Sequence, residues 1–189
     1  MKKLVFAALF SIAAIATSSA QAIVLITKQG KIHFLSDTKM EKIEGTNKTV
    51  NAALDPTTGQ MQWGVTVKGF QFEKALMQEH FNENYMESSR FPKATFKGNI
   101  EDISNVDFKK DGTYKVKALG NLEIHGVTKA ITTDGEVIVK GASVQLKSKF
   151  DIKAEDYGIV IPALVRDNIA KSISIDVDAT LNPKQPKKE

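Results

Sequence analysis

The chain has 189 residues, of which 42% are hydrophobic and none is cysteine, and a formal net charge of +4. This length suits one domain with its own core. The lack of Cys excludes disulfides, a lipid-modified Cys anchor and a Cys nucleophile. Because most lysines stand singly along the chain, we predict a solvated surface and no nucleic-acid partner.

The first residues have the pattern of an export signal. Lys2 and Lys3 precede an apolar run over 4–16, and small residues follow up to Ala22. The run is too short to span a bilayer, which takes about 20 apolar residues. We therefore expect a signal peptide at 1–22, cleavage after Ala22, a periplasmic or secreted protein, and no stable membrane insertion after cleavage.

The remaining chain divides into one long segment and a short tail. Residues 183–189 are rich in Pro and Lys, which predicts a disordered basic tail. The domain is then expected over 23–182.

Alternation of apolar and polar residues dominates this domain, which is the period of strands with one buried face. In chain order, it predicts eight strands at 31–36, 48–54, 61–68, 94–100, 114–125, 136–140, 143–152 and 172–181. Turn-forming residues occur at 29–30, 55–59, 110–112, 134–135 and 140–141. Connections this short predict antiparallel hairpins and an all-β fold.

One segment breaks the alternation. Residues 73–85 lack Gly, Pro and β-branched residues, and they place Leu76, Met77 and Phe81 at helical spacing. We predict one amphipathic helix there, covering one end of the strands, and a shorter helical turn at 163–170 after Pro162.

About eight strands with one apolar face form either a barrel or a sandwich. Small residues recur on the apolar face at Ala52, Gly98, Ala118, Gly120, Ser148 and Ala179. They can leave space for one small ligand inside a barrel. Alternatively, they make room for Trp63, Phe96 or Phe150 to pack.

Three segments together resemble a known family. The first runs from 70 to 96 and is most specific at 70–73, 80–82 and 90–96; the second is 120–129, and the third is the turn at 156–159. In this order and spacing, the chain resembles the YceI-like proteins, exported lipocalin-like barrels associated with binding polyisoprenoids and other long-chain lipids. The resemblance covers nearly the whole mature chain and implies a lipocalin-like antiparallel up-and-down β-barrel. Residues 77–82 differ from the Arg-Asp pair and the two Phe that are common in the family. The resemblance therefore does not predict which lipid headgroup this chain would bind.

Pattern and resemblance together predict a binding protein that holds a long-chain apolar lipid inside the barrel, for carriage, storage or stress protection. The lipid would be a polyisoprenoid, an isoprenoid quinone or a fatty-acid-like molecule. No catalytic residue, metal or cofactor other than a bound lipid is expected. The headgroup candidates are His80 and Arg90. The candidates for lining the tunnel are Trp63, Val65, Val67, Phe72, Leu76, Met77, Phe81, Phe96, Val116, Leu122, Ile124, Val144, Leu146 and Phe150.

Two other functions are compatible with the sequence: an enzyme acting on a lipid-like substrate in the same cavity, and a ligand-free β-sandwich interaction module. The sequence has neither a Gly-x-Ser-x-Gly elbow nor a His-Glu-x-x-His pair. A metal site of His80 and His125 with Glu79 or Glu83 is conceivable, but nothing fixes the spacing. We expect His33 and His125 to lie at the surface or at the mouth of the barrel. The sequence does not predict whether the protein forms a homodimer.

Overall fold

The computed structural model describes residues 24–185. The expected signal peptide lies outside the described residues, as do residues 186–189 of the expected tail. Within the described residues, no helix is long and apolar enough to cross a membrane.

Eight antiparallel strands make up most of the domain, and each pairs with the next along the chain. The last strand also pairs with the first, so the sheet closes into an up-and-down barrel, which confirms the predicted fold and excludes the sandwich. The strands are β1 Leu25–Asp37, β2 Lys42–Leu54, β3 Gln60–Thr66, β4 Lys93–Ile100, β5 Gly112–Ile124, β6 Val127–Lys140, β7 Ser143–Ile152 and β8 Ile173–Pro183.

The predicted helix lies in the long connection between β3 and β4. The helix α1 spans Ala75–His80 and continues directly into a π-helical turn, Phe81–Tyr85. Turns of this kind are frequent at functional sites. A 3₁₀ helix, Ala163–Asn168, follows Pro162 in the connection between β7 and β8, which confirms the shorter helical turn.

The turn between β2 and β3 is formed as its sequence predicts. The amide of Thr57 donates to Oδ1 of Asp55 at 2.8 Å, and Gly59 has a φ of 76°. The hydrogen bond from the Thr57 amide stabilises the carboxylate, which holds the pKa of Asp55 below its ordinary value.

Two predicted turns are wrong, because Gly30 lies inside β1 and Gly135 lies inside β6. The β1–β2 register shifts on both sides of Gly30, and a Cβ there would lie 3.1 Å from Cβ of Ala179. A Cβ at Gly135 would lie 2.8 Å from the carbonyl oxygen of Lys147. Both glycines therefore allow close approach of neighbouring chain rather than a reversal.

The reversal between β5 and β6 is a two-residue turn that the pattern did not predict. Its residues, His125 and Gly126, have φ angles of 52° and 74°. Positive φ at both central residues is characteristic of the type I′ turns that join twisted antiparallel strands.

The two ends of the barrel differ. The closed end carries the loops 55–59, 101–111 and 141–142, and the open end carries 38–41, 67–92, 125–126 and 153–172. The closed end is filled by a continuous core, to which the loop 101–111 contributes Val106. Its buried residues include Leu25, Leu54, Ile100, Val139, Val144 and Leu181. The barrel interior is therefore a pocket with a floor, whereas the sequence predicted a tunnel.

Candidate functional site

A cavity of about 380 Å³ lies inside the barrel between this floor and the open end. Cavities that hold small molecules are typically about 300–1,000 Å³ and mainly apolar. The wall is formed by inward-facing side chains of the strands, by α1 and the π-helical turn, and by the connection 153–172. Most of these side chains are aliphatic or aromatic, so the cavity offers a mainly apolar surface.

Most of the residues predicted to line the tunnel lie on this wall. They are Trp63, Val65, Val67, Phe72, Met77, Phe81, Phe96, Val116, Leu122, Ile124, Leu146 and Phe150. Their contact with a ligand stays a prediction. His80, proposed for a headgroup, also lies on the wall.

Three predicted site residues lie elsewhere. Leu76 is 60% exposed, because its neighbour Met77 faces the cavity and successive residues of a helix point about 100° apart. Val144 is buried in the floor, opposite Leu181. The side chain of Arg90 is 73% exposed and lies 3.5 Å from Glu87, off the cavity wall.

Other wall residues were missed, although they carry the same signal as those predicted. Ile32 and Phe34 alternate along β1, and Ile173, Ile175 and Val177 alternate along β8. The pattern identified both strands, so extending the inward face along each would have found these residues.

The small inward residues serve both of the purposes considered. Ala118 and Ser148 lie on the cavity wall, whereas Ala52 and Ala179 are buried in the floor. Gly98 and Gly120 instead make room for the ring of Phe96.

An aromatic cluster fixes the helical segment to the mouth of the cavity. The ring of Phe81 stacks on Phe34 with centroids 5.4 Å apart, and it lies 5.6 Å from Phe70 and 5.0 Å from Phe72. Aromatic pairs of this kind each contribute about 0.5–1.5 kcal/mol beyond the burial of their area. The cluster therefore holds the π-helical turn against β1 and the segment that follows β3.

One corner of the wall is polar. Asn168 Nδ2 donates to Oε2 of Glu41 at 3.0 Å, and the Ala170 amide donates to Oγ of Ser36 at 2.8 Å. Ser36, Glu41 and Asn168 all lie on the wall. These two hydrogen bonds attach the connection between β7 and β8 to the β1–β2 hairpin across the mouth.

The histidines do not assemble a metal site with the carboxylates considered. His125 is bound at both ring nitrogens, with Nε2 3.1 Å from Oε2 of Glu87 and Nδ1 3.2 Å from the carbonyl oxygen of Tyr157. Its side chain is only 12% exposed, and it lies in the turn 125–126 at the open end of the barrel. Among residues 24–185, no group of three or more His, Asp or Glu could hold a metal ion.

The barrel wall has a gap on one side. β6 pairs with β7 only from Gly135 to Lys140. Toward the open end of the barrel, which we call the upper end, the two strands are not joined by ladder hydrogen bonds. Side chains bridge the two borders of the gap. Thr133 Oγ1 lies 2.9 Å from Ser148 Oγ at its lower border, and Lys129 Nζ lies 3.0 Å from Asp156 Oδ1 at its upper border.

A closed eight-stranded up-and-down barrel with a ligand-sized apolar cavity defines the class of lipocalin-like small barrels. Within that class, the chain belongs to the YceI-like family, because the family model of the YceI-like domain matches residues 24–181. The expected resemblance is confirmed.

Solved structures show the same fold. The chain is similar to a polyisoprenoid binding domain from Saccharophagus degradans implicated in plant cell wall breakdown, with a TM-score of 0.75, 15% identity, and coverage of 87% of this chain and 100% of that domain. The chain is also similar to Burkholderia cenocepacia BcnA, with a TM-score of 0.67, 19% identity, and coverage of 80% of this chain and 95% of BcnA. A Campylobacter jejuni YCEI protein has a TM-score of 0.57 and 18% identity, and the match covers 98% of this chain and 100% of that protein. No curated protein sequence matches significantly.

Proposed function

We propose that the mature chain is a periplasmic or secreted binding protein that holds one long-chain apolar lipid in the barrel cavity, for carriage, storage or stress protection. The lipid is of the polyisoprenoid, isoprenoid quinone or fatty-acid-like type. The observation that carries this proposal is the apolar cavity of about 380 Å³ above a packed floor. The similar Saccharophagus degradans domain, described as polyisoprenoid binding, supports the ligand class. The signal pattern at 1–22 supports export.

Transfer of hydrocarbon out of water supplies the affinity. Each buried CH₂ contributes about 0.8 kcal/mol before the costs of binding. With those costs included, ligands of this size reach about −0.3 kcal/mol per heavy atom. A tail of ~20 carbons then gives roughly −6 kcal/mol, which corresponds to a Kd of tens of micromolar. A polar contact at the mouth would tighten the complex further.

Binding is favoured over catalysis by the position of the ionisable pairs. The shortest contact between a histidine and a carboxylate in residues 24–185 joins His125 to Glu87, and neither residue lies on the cavity wall. An enzyme that used a histidine–carboxylate pair inside the cavity would need that pair to face its substrate.

Two measurements test the proposed function. Organic extraction of protein purified from its native compartment, followed by mass spectrometry, is expected to release one class of long-chain lipid. Titration with a 20-carbon prenol is expected to change the fluorescence of Trp63 saturably, because this residue is the only Trp and lies on the cavity wall.

A 5-carbon prenol is the matched probe and is expected to give no saturable change, since it buries little hydrocarbon. An empty protein on extraction, together with no response to the long prenol, would refute a lipid-binding role.

A further inference from the structure

We propose that Glu41 and Asn168 form a headgroup site that selects lipids whose head donates a hydrogen bond, such as a primary alcohol or amine, over lipids with a carboxylate or phosphate head. This inference rests on the proposed function and specifies which lipids it concerns. It starts from the polar corner at the mouth of the cavity, where Glu41 and Asn168 are joined by a hydrogen bond within a mainly apolar wall.

Local hydrogen bonds hold Glu41 in position. The amide and the hydroxyl of Thr38 both donate to the carbonyl oxygen of Glu41, each at 3.1 Å. The Glu41 amide donates in return to Oγ1 of Thr38 at 3.0 Å. The backbone beneath the carboxylate is therefore fixed before any ligand arrives, which reduces the entropy lost on binding.

The corner presents acceptors. The amide nitrogen of Asn168 donates to one carboxylate oxygen, Oε2 of Glu41, which leaves Oε1 of Glu41 and Oδ1 of Asn168 as acceptors. An alcohol or ammonium head has the protons to pair with these oxygens. A carboxylate or phosphate head would instead bring a second negative charge against Glu41.

No salt bridge found among residues 24–185 includes Glu41. The lysine on the cavity wall, Lys147, lies in the lower half of β7 opposite Glu136, toward the floor. His80 also lies on the wall, and all titrations are made at the same pH of 8.

The test uses three probes with the same tail, 1-hexadecanol, hexadecylamine and hexadecanoate, each delivered from the same cyclodextrin carrier and followed by Trp63 fluorescence. We expect the alcohol and the amine to bind at least tenfold more tightly than the carboxylate. In Glu41→Gln, this ratio is expected to fall below threefold, mainly because the carboxylate binds better. In Asn168→Asp, the amine is expected to gain affinity and the carboxylate to lose it.

Glu44→Gln is the matched control. Its carboxylate is 45% exposed on the outside of β2, 3.2 Å from Lys42, so its removal should leave the ratio unchanged. Circular dichroism and thermal unfolding establish that each variant is folded.

The possible outcomes separate the two proposals. Failure of all three probes to bind would overturn the lipid-binding function itself. Binding of all three with equal affinity, or an unchanged ratio in folded Glu41→Gln, would overturn only the headgroup site.

Discussion

Gly98 and Gly120 face each other across the β4–β5 ladder so closely that neither position has room for a side chain. A Cβ on Gly98 would lie 2.2 Å from the carbonyl oxygen of Leu119 and 2.8 Å from Cα of Gly120. The ring of Phe96 covers both glycines, 2.7 Å and 2.8 Å from the two Cβ positions. Phe96 thereby fills the volume that the two missing side chains leave.

We expect Gly120→Ala to lower the free energy of unfolding by about 3 kcal/mol or more, which is the upper part of the range for overpacking. The added methyl would lie 2.4 Å from the carbonyl oxygen of Lys97, and backbone cannot rotate away as a side chain can. Urea denaturation measures the effect. Gly64→Ala is the control, because a Cβ there meets nothing within 4 Å, and its stability should stay within about 1 kcal/mol of the parent. Equal stabilities of the two variants would contradict this interpretation.

Filling the cavity should weaken binding without unfolding the barrel. Ala118 lies on the cavity wall, so Ala118→Phe places a ring where the lipid tail would lie. We expect the affinity for 1-hexadecanol to fall at least tenfold by calorimetry, which corresponds to about 1.4 kcal/mol. Thr132→Phe adds the same ring to an exposed position on β6 and should bind as the parent does. Unchanged affinity in Ala118→Phe would show that hexadecanol binds outside the cavity.

A disulfide across the lower border of the gap should stabilise the fold. The hydroxyl oxygens of Thr133 and Ser148 are 2.9 Å apart, and the parent chain has no cysteine to compete. In Thr133→Cys/Ser148→Cys, the bridge closes a loop of about 15 residues, for which chain entropy predicts roughly 3 kcal/mol. The same variant with reductant is the control in a urea titration. An oxidised form no more stable than the reduced one would show that the two strand positions do not meet this geometry.

The phenol of Tyr157 should make the protein less stable in alkali. Burial, with a smaller contribution from the charge of Asp156, raises the pKa of Tyr157 above its ordinary value of 10.0. The unfolded chain then loses this proton at a lower pH than the folded protein does. The stabilisation is complete below the unfolded pKa and is lost as the pH rises through the folded one. Between pH 9 and 11, unfolding free energies of the parent should therefore fall more steeply than those of Tyr157→Phe. Parallel curves would contradict the raised pKa.

The strands and the helical segment could be predicted because their signals are local. Alternation identified all eight strands, and the lack of Gly, Pro and β-branched residues identified 73–85. Closure of the sheet depends on pairing between β1 and β8, which are separated by most of the chain. The pattern alone therefore left barrel and sandwich open, and the family resemblance favoured the barrel.

The errors occur where tertiary contacts decide the role of a residue. Gly30 and Gly135 look like turn glycines, but they accommodate neighbouring strands. Val144 and Leu146 lie on the same face of β7, and only the position of Val144 nearer the closed end places it in the floor and off the cavity wall. The pair of Glu41 and Asn168 joins residues 127 positions apart, so no local pattern could connect them.

The packed floor at the closed end has a kinetic consequence. In the proposed lipid complex, an incoming molecule would have no route to the bound lipid from the closed end, and a cavity of about 380 Å³ would not hold two long chains at once. Replacement must therefore begin with departure of the first molecule, and the exchange rate should be independent of the concentration of its successor.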